Sequence, residues 1–140
     1  MTDDPHDLQR FVEAQAPVFQ QVLTELRVGA KRTHWMWFVF PQIAGLGHSA
    51  MAQRYAIASR AEAMAYLQHA LLGPRLHECT ALVLAVDNRS ARQILGTPDD
   101  LKFHSCMTLF AQVTADNAPF LDALAKYFAG ASDQGTLDRL

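Results

Sequence analysis

The chain is 140 residues long, half of them hydrophobic, with 19% charged and a net charge of −2. That length and apolar fraction fit one domain with its own core, and the charge balance argues against a globally basic nucleic-acid binder. No apolar run approaches the roughly 18 residues of a membrane span, and Cys79 and Cys106 alone make no disulfide framework, so the expectation is a soluble cytoplasmic protein with reduced thiols.

The opening run Met1-Thr2-Asp3-Asp4-Pro5 is acidic and polar, unlike the start of a secretory signal. Leu8, Phe11, Val12 and Gln15 share one face at helical spacing. Pro17 suits the first turn of a second helix, whose stripe is Val18, Phe19, Val22, Leu23 and Leu26 and whose stop is Gly29. Residues 33–40 are apolar all round. Thr33 as N-cap and Pro41 as terminator favour a short helix there, with a buried strand as the rival reading. Ser49 caps a helix carrying Met51, Tyr55 and Ala58. Ser59-Arg60-Ala61-Glu62 has the form of a capping box, followed by Met64, Tyr66, Leu67 and Leu71.

Pro74 opens the most apolar helix, with Leu76, Leu82, Val83 and Val86, which is expected at the centre; a strand over Leu82–Val86 is the alternative. Ser90 caps a short helix ended by Gly96. Thr97-Pro98-Asp99-Asp100 is a start signal for the helix of Leu101, Met107, Leu109, Phe110 and Val113. Asn117 and Pro119 open the last helix, with Phe120, Leu124, Tyr127 and Phe128. Residues 130–140 read as a loose tail with at most one terminal turn. The predicted architecture is a single all-α domain, residues 1–140, of seven or eight short helices.

The run Thr33–Gln42 holds both tryptophans and four of the thirteen aromatics. Lys31, Arg32 and His34 precede or open it, and Gly45-Leu46-Gly47-His48-Ser49 follows. Cations beside tryptophan faces suit a phosphate-bearing or ring-bearing ligand. The glycine turn ahead of a helix start suits an anion. The bland alternative for the same residues is core tryptophans, a solvated helix end and a tight turn; core is the better reading of the tryptophans alone, and a site that of the whole cluster. Gly45-Leu46-Gly47-His48-Ser49-Ala50 matches a dinucleotide fingerprint by letters, but Pro41-Gln42 interrupts the strand that the fingerprint needs.

Six histidines invite a metal. However, His77/Cys79 and His104/Cys106 are two apart and point away from each other on a helix, so no metal site is expected. Cys106, Ser105 and the Asp99/Asp100 pair are weak catalytic candidates. Lys102 reads most simply as an ion pair with Asp99.

The chain resembles the bacterial family of unknown function numbered eighteen-ten, loosely labelled calpastatin-like. The resemblance rests on Arg10-Phe11-Val12 with Ala14-Gln15, Glu25-Leu26-Arg27, Lys31, His34-Trp35-Met36-Trp37-Phe38 and Phe40-Pro41-Gln42. It continues through Gly45-Leu46-Gly47 with Ser49, Glu62-Ala63, Tyr66-Leu67, Leu72-Gly73, Arg75-Leu76, Gly96, Asp100, Lys102, Ser105 and Met107-Thr108-Leu109-Phe110. It implies a helical single domain and no established activity. The calpastatin label is not inherited, because such inhibitors are disordered polar chains and this one is half hydrophobic.

The pattern singles out cations and polar groups that core packing explains poorly. The resulting expectation is a pocket for a phosphate-bearing small molecule, a nucleotide or ADP-ribose-like compound, with no cofactor. Its residues are Lys31, Trp35, Trp37, Gln42, Gly45, Gly47, Ser49, Arg75, Lys102 and Ser105, with His34 as the catalytic candidate for an undefined reaction. The alternative is an interaction module using the aromatic 33–42 segment. The chain is expected as a monomer or weak homodimer, with neither membrane nor nucleic acid as partner.

Overall fold

The Glu25 carboxylate organises the N-terminal third of the chain. It is buried, and it accepts hydrogen bonds from Gln21 Nε2 (2.9 Å), Arg32 N (2.7 Å), Thr33 N (3.0 Å), Thr33 Oγ1 (2.6 Å) and Trp35 Nε1 (3.0 Å). These bonds turn the chain after the second helix and seat Trp35 in the core. They also explain why the aromatic run forms so little helix. Thr33 donates its hydroxyl to Glu25 instead of capping, and the helix is only Met36–Val39.

The computed structural model describes residues 3–140; Met1 and Thr2, the start of the acidic N-terminal run, lie outside the described residues. Among the described residues ten helices follow in order: α1 Gln9–Gln15, α2 Phe19–Val28, α3 Met36–Val39, α4 Ala50–Arg54, α5 Arg60–Gln68, α6 Leu72–Leu84, α7 Ala91–Leu95, α8 Asp99–Val113, α9 Ala118–Phe128 and α10 Gln134–Asp138. The all-α reading holds and the count of seven or eight does not. Four of the ten, α3, α4, α7 and α10, are single turns of four or five residues. A single parallel bridge, Ile43 to Ile57, is the β pairing among the described residues.

Several boundaries follow from local chemistry. Gly29 ends α2 in the left-handed conformation at φ 79°. Ser49 and Ser90 accept from the N–H groups of Ala52 and Gln93. The capping box lies at Ser90–Gln93. At Ser59 the serine accepts from Glu62 N, but the glutamate reaches Ala58 N. The Leu82–Val86 stretch is helical through Leu84, so the strand alternative is excluded.

The central helix is α8, not α6. Ser105 to Ala111 are all buried, and α8 packs on α5, α7, α9 and α10. Its polar side chains disguise this in the sequence, because they are satisfied within the fold. Thr108 Oγ1 donates to His104 O at 2.9 Å and Ser105 Oγ contacts Leu101 O at 3.2 Å. Aromatic edges close the core around α8: Phe40 against Phe103 (5.0 Å) and Phe11 against Tyr66 (5.1 Å).

Arg10 ties α1 to the 54–62 segment. Its guanidinium donates to the carbonyls of His6 (2.7 Å), Asp7 (2.8 Å), Arg54 (2.9 Å) and Ala56 (2.9 Å), and to Glu62 Oε2 (2.7 Å).

The terminal turn expected within residues 130–140 is present as α10, and it is docked on α8. Asp133 caps α10, Asp133 N donates to Thr108 Oγ1 at 2.9 Å, and Thr136 is fully buried. The partners on α8 lie 25 to 28 residues away in sequence, which hides the docking from a local reading.

Candidate functional site

Lys102 projects from the first turn of α8 and Ser105 follows three residues later, so both lie on one helix face. The Gln42–His48 loop faces them. Between the two runs a groove of about 400 Å3, lined by Gln42, Leu46, Gly47, His48, Pro98, Leu101, Lys102, Ser105 and Asp133. That volume is within the range of small-molecule sites. Gln42 and Lys102 also border a small adjoining cavity with Trp37, Phe40, Ala52 and Tyr55, of about 10 Å3, room for a single water. Gly47 is required at this corner. A Cβ there would lie 2.6 Å from Ala52 Cβ and 3.2 Å from Gln42 Nε2, displacing the amide that faces both spaces.

The cations are organised by Asp99. Its carboxylate holds Lys31 Nζ at 2.8 Å and Lys102 Nζ at 3.6 Å. Lys31 also lies 5.1 Å from the Trp35 ring centre and Lys102 lies 5.0 Å from that of Trp37. Two lysines thus share one carboxylate beside the aromatic run, and Asp133 is a second carboxylate on the groove wall. Ser105 Oγ donates to Asp133 Oδ2 at 2.9 Å across the groove wall.

Of the residues the sequence singles out, the structure brings Trp37, Gln42, Gly47, Lys102 and Ser105 to these spaces, with Lys31 joined through Asp99. It does not bring the others. Trp35 is fully buried, its indole N–H spent on Glu25, so it belongs to the core. Ser49 uses its hydroxyl to cap α4, whose five residues give little dipole. Gly45, at φ 99°, lies under Arg139. Arg75 is elsewhere, over the Phe19 ring at 4.4 Å and bonded to Gln15 Oε1 at 3.3 Å, within the buried polar set of Gln15 and Tyr66. His34 is exposed and lines neither space.

The dinucleotide fingerprint finds no strand before it, only the bridge at Ile43. No cluster of metal-ligating side chains occurs among the described residues. Both cysteines are buried, which pushes the Cys79 thiol up to about 12 and the Cys106 thiol well above its usual value. Neither forms a thiolate nucleophile near neutral pH.

A family model described as "Protein of unknown function (DUF1810)" matches residues 5–140. The chain belongs to the DUF1810 family. Among solved structures it is similar to the conserved hypothetical protein Rv1873 from Mycobacterium tuberculosis, at 60% identity, with 98% of each chain covered and a TM-score of 0.97. No curated protein matches. Membership agrees with the resemblance read from the motifs, and the all-helical architecture follows it. In this DUF1810 chain the motif residues divide by role. Arg10, Glu25, Glu62, Gly73 and Tyr66 hold the fold, whereas Trp37, Gln42, Gly47, Lys102 and Ser105 face the two spaces.

The ion pair of Lys102 with Asp99, read from their i,i+3 spacing, is present, but sequence reasoning missed Lys31 as the second partner of Asp99 and Asp133 as a groove residue. For Asp133 there was no signal, because it reaches the groove only through the docking of α10.

Proposed function

We propose that this protein binds a phosphate-bearing small molecule, of the nucleotide or ADP-ribose-like class, in the groove between the Gln42–His48 loop and α8. The observation that carries the reading is the convergence of Gln42, Gly47, Lys102 and Ser105, scattered over more than sixty residues of chain, on one groove. Lys102 supplies a compact charge for phosphate, with Lys31 behind it through Asp99. Gln42 offers both donor and acceptor atoms, and Trp37 and Tyr55 give the adjoining cavity an aromatic wall. Any acid–base chemistry in the groove falls to His48, which borders it, before His34, which lines neither space. The alternative role of the 33–42 segment, as a docking surface for a partner, has little to work with. Trp35, Met36 and Phe38 to Pro41 are buried, which leaves Thr33, His34 and the half-buried Trp37 and Gln42.

A thermal-shift screen against inorganic phosphate, sugar phosphates and nucleotides tests the proposal. Stabilisation by at least one of them at millimolar concentration is expected, and none would sink it. Lys102→Ala is expected to weaken that binding by about tenfold or more. It is also expected to change the unfolding free energy by no more than about 1 kcal/mol, because its ion pair with Asp99 lies near the surface. Equal affinity of variant and parent would place the ligand elsewhere.

A further inference from the structure

The groove carries a carboxylate as well as a lysine. Asp133 lines it together with Lys102, and a bare phosphate gains from one and is repelled by the other. The two oxygens of Asp133 are not equivalent. Oδ2 accepts from Ser105 Oγ (2.9 Å), Thr136 N (3.2 Å) and Thr136 Oγ1 (2.6 Å). Oδ1 takes no donor among the described residues and is not sealed from solvent. Burial works to raise the pKa of this carboxyl. The Thr136 and Ser105 bonds outweigh it and hold the pKa below the ordinary value, so the group is charged at neutral pH. Two of its three present partners are hydroxyls, and the side chain is held in place by α8 on one side and α10 on the other.

A fixed carboxylate with one oxygen open is an acceptor for ligand hydroxyls. We propose that Asp133 reads the hydroxyl groups of the ligand through Oδ1 while Lys102 holds its phosphate, so that the groove selects polyhydroxylated phosphates, such as a ribose phosphate, over phosphate alone. The inference rests on the proposed groove and adds to it a specificity residue and a substrate class.

Titration calorimetry of the full chain with three probes tests it: ribose 5-phosphate, n-butyl phosphate and pyrophosphate. The wild-type protein is expected to bind ribose 5-phosphate about tenfold or more tightly than n-butyl phosphate, which has the charge without the hydroxyls. Asp133→Asn is expected to remove most of that preference while leaving pyrophosphate affinity equal or slightly higher, because a like charge is gone. The wild-type comparison needs no variant and stands even where Asp133→Asn loosens α10, which a melting curve would reveal. Equal affinity of the wild type for ribose 5-phosphate and n-butyl phosphate overturns the inference. So does a folded Asp133→Asn variant that keeps the preference. Binding of pyrophosphate without any sugar phosphate would leave the anion groove standing and overturn only the role of Asp133. Binding of none of the three would remove both.

Discussion

Replacing Glu25 with alanine is expected to lower the unfolding free energy by about 4 kcal/mol, enough to drop the melting temperature by about 10 °C in a chain of this size. Five hydrogen bonds end on this carboxylate. Water can replace it for the exposed Arg32 and Thr33, but not for the indole of Trp35, which is fully buried. The alanine variant therefore strands a buried donor and frees the 30–35 loop. Glu25→Gln keeps one oxygen acceptor and is expected to lose about half as much.

The same group predicts an acid dependence. Burial works to raise the Glu25 pKa, but the bonds from Thr33, Arg32 and Gln21 bring it down from 4.5 to about 2 in the folded protein. A pKa depressed on folding means that the native state binds fewer protons than the unfolded chain. The stabilisation, about 3 kcal/mol, is therefore complete above the unfolded value and is lost as pH falls from there through the folded one. Denaturant unfolding of wild type and Glu25→Gln should converge toward pH 2. Parallel curves over that range would show that the carboxylate is not the acid-sensitive group.

Gly73→Ala is the second large effect, and its sign is diagnostic. Gly73 lies in the first turn of α6, where helix propensity alone would make alanine more stable by about 1 kcal/mol. A Cβ at this position would stand 2.1 Å from the carbonyl oxygen of Leu67 and 3.0 Å from its carbonyl carbon. Those are backbone atoms of α5, so no rotamer relieves the clash, and the α5–α6 corner must open. Destabilisation by about 3 kcal/mol is expected, read as a fall in melting temperature. A variant that melts at or above the parent would show that the corner adjusts freely.

Much of the fold was legible locally. Gly29, Ser49 and Ser90 act through groups within four residues and end or begin a helix as their chemistry demands, and Pro119 lies in the first turn of α9, although the Asn117 amide donates to Ala111 O instead of capping. What failed depended on distant partners. The aromatic run promised a longer helix, but Thr33 answers to Glu25, eight residues back. The polar residues of α8 concealed its burial, and α10 docks on Ser105 and Thr108.

The site was half legible for the same reason. Residue type marked Lys31, Gln42, Lys102 and Ser105 as odd for a core. Only the fold decides that Lys31 and Lys102 meet on Asp99, while Arg75 turns to Phe19 and Gln15.

The central claim, a phosphate-ligand groove facing Lys102, is tested most directly by titrating an isotope-labelled protein with ribose 5-phosphate and following amide and side-chain resonances. The account predicts saturable shifts, with one affinity, at the Trp37 indole, the Gln42 side-chain amide, Gly47 and Ser105, with Arg75 and Phe19 unmoved. Shifts confined to other surfaces, such as the groove lined by Arg27 and Arg89, or none at millimolar ligand, would contradict it.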